Sequence, residues 1–277
     1  MLERIQKYRR DLHQIPELEL ELPKTQRYLQ EALRDLPCSL SSPIPSSVVA
    51  FFDAGRKESI AFRSDMDALP VTEATGRAFA SRHTGCMHAC GHDGHMAMLL
   101  EFAHQLSAYY KELPHNVVLI FQPGEETPGG AEPMCKSGIF EQYHIKRIFG
   151  FHVWPMLDKG VIATRRNEFM ARSSEVNIDI TGKSAHAAKY QEGIDAMEIA
   201  ARYLLDVYTM EQEELSAETY RLLRFGLLKS GTVRNVVSNA ARMEGTLRAF
   251  QDETYQYMKK RMLELAKPYE EIGRAHV

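Results

Sequence analysis

A chain of 277 residues with 44% apolar side chains can build one large core or two medium ones, and global disorder is not expected. A formal net charge of −3 gives no electrostatic case for nucleic acid or an anionic membrane surface as partner. The four cysteines, Cys38, Cys86, Cys90 and Cys135, are scattered through a chain too large to need disulfide staples, so they read as reduced thiols. The first ten residues are charged and hold no apolar signal region, and no apolar run approaches a membrane span. A soluble, cytoplasmic protein is the expectation.

Residues 1–36 read as two helices. Ile5, Tyr8, Leu12 and Ile15 share one face, as do Tyr28, Leu29, Leu33 and Leu36, with Pro16 and Pro23 as punctuation between them. After a Ser- and Pro-rich loop, Val48 to Phe52 and Ile60 to Phe62 read as short strands joined by a turn at Asp53-Ala54-Gly55. The second strand runs into Asp65 and Asp67, acids placed to reach a site at the sheet edge or simply solvated in a loop. A helix is expected over roughly 93–110, followed by the unbroken apolar run Val117 to Phe121. A run without alternation fits a strand buried on both faces, hence a parallel sheet covered by helices. A further strand, Ile148 to Trp154, places His152 at or near its end.

Near residue 165 the pattern changes. Val176 to Ile180 alternates strictly, as a half-exposed strand does. A helix over about 193–209, strands near 222–230 and 240–250, and a helix from about 253 to 267 complete most of a β-α-β-β-α-β unit. The expected architecture is α/β: a mixed, largely parallel sheet in residues 1–165, with a smaller α+β domain in 166–277. Its closing strand is expected beyond the end of the chain.

One stretch concentrates the chemistry. Gly85 to His95 holds Cys86, Cys90, His88, His92, His95 and Asp93 among three glycines, a density of soft and borderline ligands that suggests a metal site. Cys90 and His92 stand two apart, so on a looped segment both can face one ion. His88 and His92 form a rival pair at helical spacing, with Gly91 against a regular turn there. A glycine-rich loop with partly exposed histidines is the plain alternative. Glu125-Glu126 follows the apolar strand, and adjacent carboxylates point in different directions, so one can bind metal while the other faces water; two surface turn glutamates are the plain alternative there. Cys90, His92, Glu126 and His152 form a coherent ligand set, all at strand ends or in the loops after them. A metal ion lowers the pKa of water, and Glu125 is placed to take its proton and pass it to a leaving group. The rival chemistry makes Cys90 a nucleophile with His92 as base, but nothing marks a third, orienting group.

These segments resemble the aminoacylase/carboxypeptidase superfamily of dinuclear metallopeptidases. The match is to the amidohydrolase branch of hippurate hydrolases, indole-3-acetyl-amino-acid hydrolases and N-acetyldiaminopimelate deacetylases. It is carried by Arg9 to His13, Arg63 to Pro70, Met87 to Asp93, Phe121 to Glu126, Gly150 to His152, Gly182 to Ala188, Asn235 to Val237 and Glu244 to Arg248. The resemblance implies a zinc-peptidase-like catalytic domain with an inserted lid domain that forms a homodimer. It implies two divalent ions per subunit (manganese, zinc, cobalt or nickel) on Cys90, His92, Glu126 and His152, with Glu125 as base. His186 resembles a lid histidine that helps stabilise an oxyanion in a partner's site, and Asn235 and Arg248 resemble lid residues that contact the substrate.

The activity implied is hydrolysis of N-acyl amino acids to a carboxylate and a free amino acid. Deacetylation of N-acetyldiaminopimelate is the narrower alternative, and an inactive metal-binding or oligomerising fragment is the alternative of another class. The chain departs from the branch at Lys189-Tyr190-Gln191, where a proline motif is usual, and at its end. Relatives continue into a returning segment with a last histidine ligand, whereas His276 stands in no matching context. Glu271 to Val277 reads like a translated sequencing adapter, so a truncated chain is expected.

Overall fold

The computed structural model describes residues 1–272 with Ala275 and His276, and side chains as far as Glu270; Gly273, Arg274 and Val277, part of the segment read as foreign, lie outside the described residues. The chain divides into two compact units, Met1–Lys159 and Gly160–Val277. The second unit begins at Gly160, a few residues before the 165/166 division expected from the onset of alternation. No helix among the described residues is long and apolar enough to cross a membrane.

The first unit begins with α1 (Leu2–His13) and α2 (Pro23–Leu33), the latter with proline in its first turn, where the missing N–H is no loss. A five-stranded sheet follows: β1 (Ser39–Ser41), β2 (Val48–Phe52), β3 (Ser59–Asp65), β4 (Asn116–Gln122) and β5 (Ile145–Gly150). Between them run α3 (His92–Leu106), α4 (Ala131–Lys136) and α5 (Ile139–Gln142). The strand order is β1-β2-β4-β3-β5. β3 is parallel to both β4 and β5, while β2 is antiparallel to β4 and to β1. Although β2 and β3 are consecutive, β4 separates them, so the turn at Asp53-Ala54-Gly55 does not close a hairpin.

Every residue of β4 is buried. Val117, Leu119 and Phe121 pack with α1, α2 and α3, and Val118 and Ile120 pack with Met134 and Ile139 on the other face. Burying each such side chain stabilises the unit by about 1.5–3 kcal/mol, which is why this strand needs no alternation. The three parallel strands end at one edge, at Asp65, Gln122 and Gly150, and deliver their following loops there.

The second unit contains β6 (Arg172–Thr181), α6 (Ala196–Glu213), β7 (Arg221–Ser230), β8 (Ala240–Ala249), α7 (Asp252–Ile272) and β9 (Ala275–His276). Its sheet has the order β7-β8-β6-β9, and all its pairings are antiparallel. Ile178 and Ile180 of β6 meet Tyr203, Val207 and Met258 of the two long helices on one face. Asp195 caps α6 by accepting from the N–H groups of Met197 and Glu198. The closing position, expected beyond the chain's end, is taken by the two-residue β9, where Ala275 and His276 pair with Ile180 and Asp179.

Candidate metal centre

The loops after the parallel strands and the start of α3 converge on His92. Gly91 makes this approach possible. Its φ of +91° is left-handed, and a Cβ there would lie 2.6 Å from Cγ2 of Val153. The chain turns at Gly91 directly into α3, so Cys90 precedes the helix and His92 opens it. His88 lies outside the helix, which removes the helical pairing of His88 with His92.

His92 is fully buried. Its Nδ1 donates to the backbone carbonyl of Asp67 at 2.7 Å, which leaves Nε2 with its lone pair turned away. That Nε2 has no hydrogen-bond partner among the described residues. Around it stand Asp65 Oδ2 at 3.7 Å, Glu125 Oε2 at 3.9 Å and Glu126 Oε1 at 3.9 Å. Cys90 Sγ lies 3.4 Å from His152 Nε2. Donor atoms of Cys90, His92 and His152 all lie within 4.8 Å of one another, and so do those of His92, Glu125 and Glu126. Nitrogen, oxygen and sulfur ligands around one tetrahedral ion stand about 3.3–3.6 Å apart, close to these separations. An orphaned buried imidazole nitrogen beside a thiol, a second imidazole and carboxylates fits a divalent ion. Cys90, His92, Glu126 and His152 would hold it or a pair of such ions.

The electrostatics show the same pressure. Burial pushes the Cys90 thiol up to about 12, helped by a hydrogen bond with Glu126 and by the Glu126, Glu125 and Asp65 carboxylates. Burial also raises Glu125, and the neighbouring charge of Glu126 adds to the shift. For Asp65, burial acts upward but is outweighed by the His95 hydrogen bond and by His92 and Arg63, which hold it at about 2. Burial lowers His88 to about 4.

Asp67 holds the glutamate pair in place. Its Oδ1 and Oδ2 accept the backbone N–H groups of Glu125 and Glu126, each at 2.9 Å. Its carbonyl orients His92. The sequence places Asp65 and Asp67 near the sheet edge but assigns no task to them or to His95. His95 is three residues after His92 on α3, a spacing that puts both on one face once the helix is known to start at His92.

The remaining residues singled out from sequence lie in the second unit. His186 is exposed at the start of a 3₁₀ turn, Ala187–Glu192, where its Nδ1 accepts from the Ala188 N–H at 3.2 Å. Its backbone bridges to Val236, and the Ala187 N–H donates to the Asn235 carbonyl, so His186 and Asn235 are neighbours. Arg248 is not beside them. It opposes Ser173 near the far end of β8, whereas His186 follows the end where Thr181 opposes Ala240.

A model of the peptidase family M20/M25/M40 matches residues 61–255. The chain is 37% identical over 268 residues to an uncharacterised hydrolase of Staphylococcus epidermidis, covering 96% of this chain and 70% of that protein. Its structure is similar to one from methicillin-resistant Staphylococcus aureus, with a TM-score of 0.91 and 28% identity over 99% of this chain and 73% of that one. It is also similar to the YXEP protein of Bacillus subtilis, a dinuclear metal-binding peptidase of the M20 family. That match has a TM-score of 0.79 and 30% identity over 99% of this chain and 71% of the other. The chain belongs to the M20/M25/M40 peptidase family and is a hydrolase of that family.

Proposed function

We propose that the protein is a metal-dependent amidohydrolase that cleaves N-acyl amino acids to a carboxylate and a free amino acid, using two divalent ions. The observation that carries this reading is the buried, unpartnered Nε2 of His92, ringed by Cys90, His152, Glu125 and Glu126. Divalent ions held there would lower the pKa of a water and polarise the scissile carbonyl. Glu126 contacts Cys90 and serves with it, His92 and His152 as a ligand. Glu125 stands at the same 3.9 Å from His92 but has its proton affinity raised, which suits a base. It takes the proton of the attacking water and returns it to the leaving nitrogen. A Cys90 thiol at about 12 is a poor free nucleophile, and only a bound cation would favour its thiolate.

A homodimer is part of this reading. His186 and Arg248 sit at opposite ends of a sheet, eight residues apart along β8 from Ala240, or about 27 Å at strand rise. A substrate the size of an acyl amino acid cannot touch both. If Arg248 grips the carboxylate from one copy, His186 and the adjacent Asn235 serve the oxyanion and substrate from the other. The test is a panel of N-acetyl and N-benzoyl amino acids, with N-acetyldiaminopimelate among them, assayed with and without added manganese or zinc. Metal-stimulated release of amino acid is expected. Glu125→Gln should lose roughly 10²–10⁴-fold in kcat with metal content near wild type. Metal lost together with activity in that variant would exchange the roles of Glu125 and Glu126, and no release from any substrate would overturn the proposal.

A further inference from the structure

His95 is fully buried one turn into α3, and both of its ring nitrogens are already used. Nδ1 is 2.6 Å from Asp65 Oδ1. Nε2 accepts the backbone N–H of Val153 at 3.0 Å. A carboxylate can only accept here and a backbone N–H can only donate, so the ring carries its proton on Nδ1. Although its donor atoms stand within 4.8 Å of those of Asp65 and His92, His95 therefore has no lone pair left for an ion.

What it touches is the support of the site. The backbone of Val153 is gripped on both sides of its Cα: His95 accepts from the N–H, and His152 Nδ1 donates to the carbonyl at 2.6 Å. That second bond turns His152 Nε2 toward Cys90 Sγ. The His95 and His152 rings also pack edge-to-face, with centroids 4.6 Å apart. On its other side Asp65 is fixed by His95 and by Arg63 Nη1 at 2.9 Å, which aims Oδ2 at His92.

We infer that His95 is a positioning residue that sets the metal affinity of the site by locking His152 through Val153 while holding Asp65 beneath His92. The inference rests on the metal reading proposed above. A histidine is needed because only its ring offers a donor and an acceptor at opposite ends with a fixed distance between them. Glutamine can keep the acceptor near the Nε2 position, and asparagine can keep the donor near the Nδ1 position. Leucine keeps neither.

The experiment measures cobalt(II) affinity of the full chain by competition with a chromophoric chelator, for wild type, His95→Gln, His95→Asn and His95→Leu. The thiolate-to-cobalt absorption band follows Cys90 separately, and melting of the metal-free proteins reports folding. His95→Leu should bind cobalt roughly 10–100-fold more weakly while the thiolate band persists in the loaded protein. His95→Gln should bind more tightly than His95→Asn, because the Val153 arm leads to His152. A purely structural role would lower all three melting points and leave the affinities at the wild-type level, and that result overturns the inference. If His95→Leu fails to fold, the order of the other two decides, and asparagine binding as tightly as glutamine overturns it. A wild-type protein that takes up no cobalt overturns the metal reading itself and this inference with it.

Discussion

Asp67→Asn tests whether the glutamate pair is held from below. The Asp67 side chain is fully buried, and its two oxygens accept two backbone N–H groups from consecutive residues. Asparagine keeps an oxygen for one of them and turns an NH2 group against the other, donor against donor. The loss is one charge-assisted hydrogen bond of about 1.5–3 kcal/mol plus an unsatisfied N–H of about 1–3 kcal/mol. The loop around Glu125 is exposed, so water recovers part of this, and a net loss of about 2–4 kcal/mol remains. In a unit of this size that lowers the melting point of the metal-free protein by roughly 4–16 °C, as scanning fluorimetry would read. Misplacing Glu125 by about 1 Å should cost roughly 100-fold in hydrolysis by the loaded enzyme. An unchanged melting point refutes the packing argument. A lowered melting point with full activity refutes the positioning of the pair.

Three further outcomes follow from the same geometry. Gly91→Ala forces an alanine into left-handed backbone against Val153, so it should lose about 1–3 kcal/mol of stability and weaken cobalt binding; wild-type melting and affinity would contradict the close approach. Cys90→Ser should lower metal content, read by elemental analysis, because a hydroxyl is a far poorer ligand than a thiolate; full metal content with lost hydrolysis would restore the nucleophilic reading. His186→Ala and Glu125→Gln proteins, each nearly inactive, should on mixing recover up to about a quarter of wild-type activity, since half of a statistical mixture is mixed dimer with one intact site. No recovery after subunit exchange seen by native mass spectrometry would place His186 in its own subunit's site or in none.

What could be read from the sequence depended on how far apart the partners lie. The unbroken run Val117 to Phe121 announced a strand buried on both faces, because burial acts on each residue locally. Cys90 and His92 were recognisable as a pair because one glycine separates them. The tasks of Asp67 and His95 were not recognisable. Asp67 meets Glu125 and Glu126 only because β4 lies against β3, whereas the sequence shows β2 and β3 only as strands joined by a turn. His95 meets Val153 only because β5 adds to the other side of β3. Both contacts are products of sheet order, which hydrophobic periodicity does not encode. The same limit applies in the second unit, where β6 lies between β8 and β9.

The distribution of charge explains why the site divides into a rigid and an adaptable half. Asp65 and Asp67 are buried and fully engaged: Asp65 with Arg63 and His95, Asp67 with two backbone N–H groups. Their positions are therefore set by folding, with or without a cation. Cys90, Glu125 and Glu126 lack such anchors to backbone N–H groups or arginine, and the proton affinities of Cys90 and Glu125 are raised: burial contributes most, and their mutual repulsion adds to it. A divalent cation would relieve it by displacing the thiol proton, so metal binding should release protons and depend on pH in the sense that acid opposes it. The side chains that would move on loading are then the exposed carboxylates Glu125 and Glu126, while His92 stays fixed by Asp67 and His152 by Val153. Under the proposed reaction, separating the anchored imidazole from the exposed carboxylates would let one part of the site hold an ion while another changes its protonation. A base at Glu125 requires that freedom, and a carboxylate locked as Asp65 is could not supply it.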